Sequence, residues 1–169
     1  MQLDMSALLS GEKTLLPFSF PYTLSLGEDF PDVAFAENFT VEGSVKDMAG
    51  YMCLTLEAHV PFTSVCARCL VEVNGVFDVH LTKDVAVKEL LQEEEQERFA
   101  LIENRKLDLG QVLTEELLIS FPSKHLCRPE CKGLCQGCGK DLNEGPCTCP
   151  VRELDPRLAV LRKLLESES

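Results

Sequence analysis

Residues 39–60 read FTVEGSVKDMAGYMCLTLEAHV, and this stretch decides the fold class of the 169-residue chain. Apolar side chains recur at every second position on each side of a turn at residues 47–50. The alternating positions are Phe39, Val41, Gly43 and Val45 before the turn and Met52, Leu54, Leu56, Ala58 and Val60 after it. A period of two is that of a strand with one buried face, so the stretch predicts an antiparallel hairpin.

The same alternation continues on both sides of this hairpin. Residues 16–26 alternate in the same way, and Pro17 and Pro21 on the opposite parity favour an edge strand. One apolar phase continues across Asn74-Gly75, which would otherwise favour a hairpin turn, and comprises Val71, Val73, Phe77, Val79 and Leu81. Val85 and Val87 either extend this strand or start another. We therefore expect one long strand here, with a bulge allowed at the Asn-Gly pair.

Two helices are predicted in the second half of the chain. Asp108 and Gln111 have the spacing of a capping box, and Pro122 ends the helix that they open. Its apolar face consists of Leu109, Val112, Leu113, Leu117 and Phe121. The last helix begins at Asp155-Pro156 and carries a leucine stripe that packs on the chain's own core or on a partner.

These elements predict an α+β fold, with a mostly antiparallel sheet, one or two packed helices and a C-terminal cysteine-rich zinc module. We divide the chain into an α+β body (1–123), a cysteine-rich zinc-binding module (124–151) and a C-terminal helix that packs on the body (152–169).

Charge is distributed unevenly along the chain. Residues 1–123 carry 8 basic and 21 acidic residues, a formal charge of −13, whereas residues 124–169 carry 8 and 7, a charge of +1. A phosphate backbone repels an acidic body, so any contact with nucleic acid is expected in the second region. The acidic run at 89–97 is expected to be solvated surface, with a docking site for a basic partner as the alternative.

Composition and motifs exclude several classes of protein. No apolar run approaches the roughly 20 residues that a membrane helix needs. The first residues lack the basic and apolar regions of a secretory signal, so we expect a cytoplasmic protein with reduced thiols. Hydrolase and phosphate-loop motifs are absent, and we expect neither an enzyme nor a small-molecule substrate.

Six of the nine cysteines lie within 23 residues and indicate a metal site. They are Cys127, Cys131, Cys135, Cys138, Cys147 and Cys149. Cys135 and Cys138 form a knuckle with glycines, and Cys147, Cys149 or both can complete a tetrahedral zinc site. Cys127 or Cys131 can supply a missing ligand, and His125 is a spare one, so the spacing leaves the ligand set open.

Cys66 and Cys69 predict a possible second site, which Cys127 and Cys131 would complete. That arrangement uses every cysteine except Cys53, for which we expect a packed free thiol. Thiolates also bind iron–sulfur clusters, which remain an alternative. The spacing from Cys131 to Cys138 matches that of radical enzymes that use S-adenosylmethionine, but too little chain follows it to build their barrel.

Several motifs resemble the YceD family, in its cysteine-rich branch. They are CARCL at 66–70, LDL at 107–109, EEL at 115–117, CKGLCQGCGKDLN at 131–143 and DPRL at 155–158. The resemblance implies a non-enzymatic bacterial factor for the accumulation of large-subunit (23S) ribosomal RNA. The implied partner is the pre-ribosomal large subunit, through its rRNA or through a basic ribosomal protein.

Basic side chains in and after the module are the candidate contacts with that partner. They are Lys124, Arg128, Lys132, Lys140, Arg152 and Arg157, with ordinary surface charge as the alternative. The rival to this function is a thiol-based redox or metal-sensing protein, for which Cys66 and Cys69 are the candidate pair outside the tail.

Overall fold

The structure is a computed structural model that describes residues 1–24 and 30–149. The predicted last helix, Arg152, Arg157 and the end of the first alternating stretch at Leu26 lie outside the described residues. In the described part of the chain, no helix has both the length and the apolar character needed to cross a membrane.

Strands dominate the described residues. They are β1 (Gln2–Asp4), β2 (Leu15–Tyr22), β3 (Val33–Phe35), β4 (Phe39–Met48), β5 (Tyr51–Val65), β6 (Glu72–Val87), β7 (Ala100–Glu103) and β8 (Lys106–Asp108). The helices are α1 (Ser6–Leu9), α2 (Glu93–Gln96) and α3 (Leu109–Ser120), and a 3-10 turn covers Lys88–Leu90. The acidic run lies in the 3-10 turn and α2, neither of which contains a buried residue.

One sheet contains all of these strands, in the order β1-β8-β7-β6-β5-β4-β2, with β3 beside β5. Neighbours are antiparallel except β6 and β7, which pair in parallel. β2 forms an edge, as its two prolines predicted. β5 and β6 pair without interruption from Met52↔Val85 to Val65↔Glu72, so one long strand is confirmed and the bulge at Asn74-Gly75 is wrong.

The predicted hairpin is β4 and β5, joined by a tight turn at Ala49 and Gly50. Both residues have positive φ, and the Gly50 N–H donates to Asp47 Oδ1 over 2.8 Å. This is the backbone conformation that matches the twist of two antiparallel strands. The alternating residues Leu54, Leu56 and Val60 are fully buried.

Helix α3 packs on the sheet through the face that the sequence predicted. The Asp108 carboxylate accepts hydrogen bonds from the N–H groups of Gly110 and Gln111 and caps the helix. Directly after α3, the ring of Phe121 lies 5.0–5.2 Å from the rings of four other phenylalanines. They are Phe30, Phe35, Phe62 and Phe77. This aromatic cluster fixes where the chain leaves α3 and enters the cysteine-rich module.

The predicted α+β class is wrong, because the described chain is a mostly β protein with a curled half-barrel sheet. α1 and α2 have four residues each and α3 has 12, whereas β5 and β6 have 15 and 16. The sequence pattern located α3 and the long strands correctly but did not reveal the short strands β1, β3, β7 and β8. A single 12-residue helix does not form a helical layer beside this sheet.

Candidate metal centres

Eight cysteines form two groups of four in which all the sulfur atoms of a group lie within 4.8 Å of one another. The inner cluster comprises Cys66, Cys69, Cys127 and Cys131, and three of its members are buried. The outer cluster comprises Cys135, Cys138, Cys147 and Cys149, and its members are partly or fully exposed. Each group could hold one metal ion.

The first half of the inner cluster lies in the turn that joins β5 to β6. The Cys66 N–H donates to the Val71 carbonyl over 2.8 Å, and the Leu70 N–H donates to the Cys66 carbonyl over 2.9 Å. Leu70 has a φ of +62°, which lets the chain reverse within the turn. This geometry brings the Cys66 and Cys69 side chains together at the tip of the longest hairpin.

The second half of the inner cluster comes from the chain after α3. The Ala67 N–H donates to the His125 carbonyl over 2.8 Å, and Cys66 forms a parallel bridge with His125. The His125 ring also packs 4.7 Å from Phe62 and 5.0 Å from Phe121. These contacts place the chain beside the turn just before Cys127.

Arg68 holds the following segment against the same turn. Its guanidinium donates to the Cys131 carbonyl over 2.7 Å, and its own carbonyl accepts from the Leu134 N–H over 3.1 Å. Gly133 approaches so closely that an added Cβ would lie 2.9 Å from the Arg68 carbonyl oxygen. The module is therefore docked on the hairpin by backbone contacts as well as by sulfur atoms.

The outer cluster has the local geometry of a knuckle. The Cys135 N–H donates to the Lys140 carbonyl and the Gly139 N–H to the Cys135 carbonyl, both over 2.8 Å. Backbone amides also point at sulfur: Gly137 N–H at Cys135 Sγ over 3.4 Å, and Cys149 N–H at Cys147 Sγ over 3.2 Å. Such amide donors stabilise thiolate charge.

The sulfur separations fit metal coordination better than disulfides. The Sγ–Sγ distances are 3.8 Å for Cys66–Cys131, 3.6 Å for Cys69–Cys127 and 3.3 Å for Cys138–Cys147. A disulfide is about 2.05 Å long. Four sulfurs at about 2.3 Å from a tetrahedral zinc ion lie about 3.8 Å apart. The inner cluster already has this spacing, and the outer cluster is slightly tighter.

Thiol acidity differs strongly within each cluster. A hydrogen bond from the Cys127 backbone lowers the pKa of Cys66 to about 6, and one from the Cys138 backbone lowers the pKa of Cys135 to about 6. The adjacent Cys147 side chain raises the pKa of Cys149 to about 12. Ionising one thiol raises the cost of ionising the next, and a divalent cation would remove that cost.

Two further residues considered from the sequence fall in neither group of four. Cys53 is a separate, half-buried thiol in β5. His125 lies beside the inner cluster, but its Nδ1 is 3.3 Å from Ser64 Oγ. Its Nε2 is buried and lacks a hydrogen-bond partner among the described residues, and burial lowers the pKa of the ring.

The candidate partner contacts in the described residues lie on the surface of the module. Lys124, Arg128, Lys132 and Lys140 are all exposed, and none of them forms an ion pair within residues 1–24 and 30–149. Lys140 Nζ donates to the Pro146 carbonyl over 3.1 Å, so this charge is partly held in place.

Sequence reasoning did not identify Arg68 or Asn143 as functional residues. Asn143 Nδ2 donates to Cys131 Sγ over 3.4 Å, and this bond lowers the pKa of the Cys131 thiol. Neither role follows from cysteine spacing, because each depends on a contact between segments that meet only in the fold. Their positions inside the two cysteine motifs are the only signal present in the sequence.

Comparisons with known proteins agree on one family. The model of the large ribosomal RNA subunit accumulation protein YceD matches residues 54–165, a range that includes both clusters. An uncharacterized protein of Mycobacterium tuberculosis is 32% identical over 130 residues, which cover 74% of this chain and 61% of the relative. The uncharacterized protein YlbN of Bacillus subtilis is 30% identical over 104 residues, 61% of this chain and 60% of the relative.

The chain thus spans only 61% and 60% of the length of these two relatives. No solved structure matches the chain significantly. The family model covers most of β5, all of β6, β7, β8 and α3, and the whole cysteine-rich module, whereas β1 to β4 lie before the matched range. Because it matches well over half of the residues, the chain belongs to the YceD family.

Proposed function

We propose that this chain is a non-enzymatic accessory factor for the accumulation of large-subunit (23S) ribosomal RNA, and that it acts in the cytoplasm by binding. The family match is the observation that carries the proposal. The description of the family names the accumulation of the large ribosomal RNA subunit, and the matched residues 54–165 include the cysteine-rich module.

We also propose that both clusters bind structural zinc. Four thiolates fill a tetrahedral coordination shell and leave no position for a reactive water molecule. The described part of the module, residues 124–149, contains only isolated bridges as β-structure, so it has few backbone ladders to stabilise it. A small segment of this kind commonly depends on its metal for folding.

The proposed partner is the pre-ribosomal large subunit, through rRNA or a basic ribosomal protein. The exposed basic side chains of the module favour a phosphate contact, and the acidic body favours a basic protein. The two contacts use different regions of the chain, residues 124–169 and residues 1–123, so they are compatible with one binding site on a ribonucleoprotein.

Metal analysis of the purified full chain tests the zinc proposal. We expect two tightly held zinc ions per chain and a colourless protein. Replacing Cys66 and Cys69 by Ser should remove one ion, and replacing Cys138 and Cys147 by Ser should remove the other. A brown protein that contains iron would instead support iron–sulfur clusters.

Deletion of the gene in its host tests the ribosomal role. We expect the ratio of 23S to 16S rRNA to fall, and the tagged chain to co-sediment with large-subunit precursors. Complementation with the Cys66→Ser and Cys69→Ser variant should fail, whereas Cys53→Ser should restore the ratio. An unchanged ratio together with no co-sedimentation would contradict the role.

A thiol-based redox or metal-sensing protein is the second candidate. It is favoured by the pKa values of about 6 for Cys66 and Cys135, since thiolates are the reactive form of cysteine. Rapid disulfide formation by the zinc-loaded chain under mild oxidants, with release of the metal, would support this function.

A further inference from the structure

Asn143 connects the two clusters, although it is not a candidate ligand of either. It lies in the loop between Cys138 and Cys147 of the outer cluster. Its side-chain amide nevertheless reaches the inner cluster, where Nδ2 donates to Cys131 Sγ over 3.4 Å. A residue in the loop of one cluster therefore contacts a sulfur of the other.

The orientation of the Asn143 amide is determined by its other contacts. Its Oδ1 accepts from the Lys132 N–H over 2.8 Å. Its Nδ2 also donates to Asp141 Oδ1 over 2.7 Å, and the same oxygen accepts from the Asn143 N–H over 2.8 Å. Turning the amide over would place its NH₂ group against the Lys132 donor, so the sulfur-directed orientation is preferred.

The loop that contains Asn143 is docked on the segment that contains Cys131. The Leu142 N–H donates to the Gly133 carbonyl over 2.9 Å, and Leu134 forms an antiparallel bridge with Asp141. An ion in the outer cluster would hold both ends of this loop. Without that ion, the loop would keep its hydrogen bonds, among them those of Lys132 N–H to Asn143 Oδ1 and of Cys135 N–H to the Lys140 carbonyl, but its two ends would no longer be tied together.

We propose that Asn143 couples metal binding at the two clusters. This coupling presupposes the metal binding proposed above. An ion in the outer cluster orders the 139–146 loop and presents the Asn143 amide to Cys131. The amide then stabilises the thiolate that the inner ion needs. Such contacts behind a metal ligand commonly change metal affinity by about 10- to 100-fold. Because coupling is reciprocal, the inner ion strengthens outer binding by the same factor.

A direct backbone effect is the competing explanation of any coupling, since Cys131 and Cys135 are separated by only three residues. The side chain of Asn143 separates the two explanations. Asn143→Ala removes the donor to Cys131 together with the acceptor of the Lys132 N–H, whereas Asn143→Asp keeps an acceptor oxygen and removes only the donor. Coupling carried by the amide donor should be lost in both variants.

The test is a double-mutant cycle on the full chain with ¹¹³Cd²⁺ as the probe. NMR should resolve one resonance for each cluster, and variants that lack either cluster assign them. A competing chelator then measures the affinity of the inner cluster with the outer cluster intact or disabled by Cys135→Ser and Cys138→Ser. We expect disabling the outer cluster to weaken inner binding about 10-fold or more with Asn143 present.

In the Asn143→Ala background, the same disabling changes should alter inner binding less than twofold. Asn143→Asp, which replaces the donor with a carboxylate, should weaken inner binding at least as much as Asn143→Ala. Asn104→Asp in the distant turn between β7 and β8 is the matched control and should leave both affinities unchanged.

Three results would overturn the inference. The first is an inner affinity that does not depend on the outer cluster, and the second is coupling of equal size with Asn143 and with Ala. The third is a chain that binds no cadmium at either cluster. This last result would also remove the zinc proposal, while the rRNA ratio of the deletion strain tests the ribosomal role separately.

Discussion

Gly133 and Gly139 have the same φ of +74° but different surroundings. A Cβ on Gly133 would lie 2.9 Å from the Arg68 carbonyl oxygen, whereas a Cβ on Gly139 would meet nothing within 4 Å. Gly139→Ala should therefore cost only the conformational penalty of about 1–2 kcal/mol. Gly133→Ala adds a backbone clash, and we expect it to release the inner ion at a lower chelator concentration. Equal metal retention in the two variants would contradict the docking role of Gly133.

The acidity of Cys66 and Cys135 predicts how metal binding depends on pH. Their pKa values, lowered to about 6, favour the thiolate at neutral pH. Protons compete with a metal for all four thiolates of a cluster, so metal affinity falls as the pH falls, and below about pH 6 even these two thiols are protonated in the metal-free cluster. We expect zinc release on acidification from pH 7.5 to pH 5, measured with a metal indicator dye. Cys53→Ser should not move the transition, because Cys53 belongs to neither cluster.

Single residues were predictable where their role is local. The Asp108 cap was found because its partners are the next two or three residues of the same helix. Asn143 and Arg68 were not found, because their targets are brought to them by the fold, across a separation of 63 residues in the case of Arg68 and Cys131. The cysteine spacing left several ligand sets open for the same reason. The two ligand sets can be distinguished only in the folded chain, where the tip of the β5–β6 hairpin lies beside Cys127 and Cys131.

Helix α3 offers a matched pair of substitutions at the scale of one element. Leu117 is fully buried against the sheet, whereas Ile119 is 82% exposed on the opposite face. Leu117→Ala should lower the free energy of unfolding by about 2–5 kcal/mol. Ile119→Ala should change it by less than about 0.5 kcal/mol. Denaturant unfolding measures both values, and similar losses in the two variants would mean that α3 packs through a different face.

Elements with a long apolar period were predicted, and short ones were not. The β4–β5 hairpin and β6 have enough residues to show a period of two, and α3 has enough to show a helical face. β1, β3 and β8 have three residues each, too few for any period. The 3-10 turn and α2 separate β6 from β7 along the chain, so no local sequence pattern indicates the parallel pairing of these two strands. The predicted fold class was wrong because these short strands were missed and the helices of the described residues are few and small beside the sheet.

At the scale of the whole molecule, removal of the metal by a chelator should destabilise the cysteine-rich module while the sheet stays folded. The amides of Leu134, Gly139 and Leu142 bond only within the module or to the β5–β6 turn. Loss of the metal should therefore increase their hydrogen exchange, while the central amides of β5 and β6 stay protected. Exchange measured by mass spectrometry, with and without chelator, checks this. Simultaneous loss of protection in the sheet would show that the metal stabilises the entire fold.

The spacing of ligands along the chain also sets an order of folding events. In the outer cluster, Cys138 and Cys147 are nine residues apart, whereas Cys69 and Cys127 of the inner cluster are 58 apart. Closing the longer loop costs about 1.6 kcal/mol more in chain entropy. The outer knuckle could thus bind the proposed ion while the rest of the chain is still unfolded. The four cysteines of the inner cluster come together only after the β5–β6 hairpin and α3 have formed. Assembly of the inner cluster is therefore a late folding step that requires the sheet.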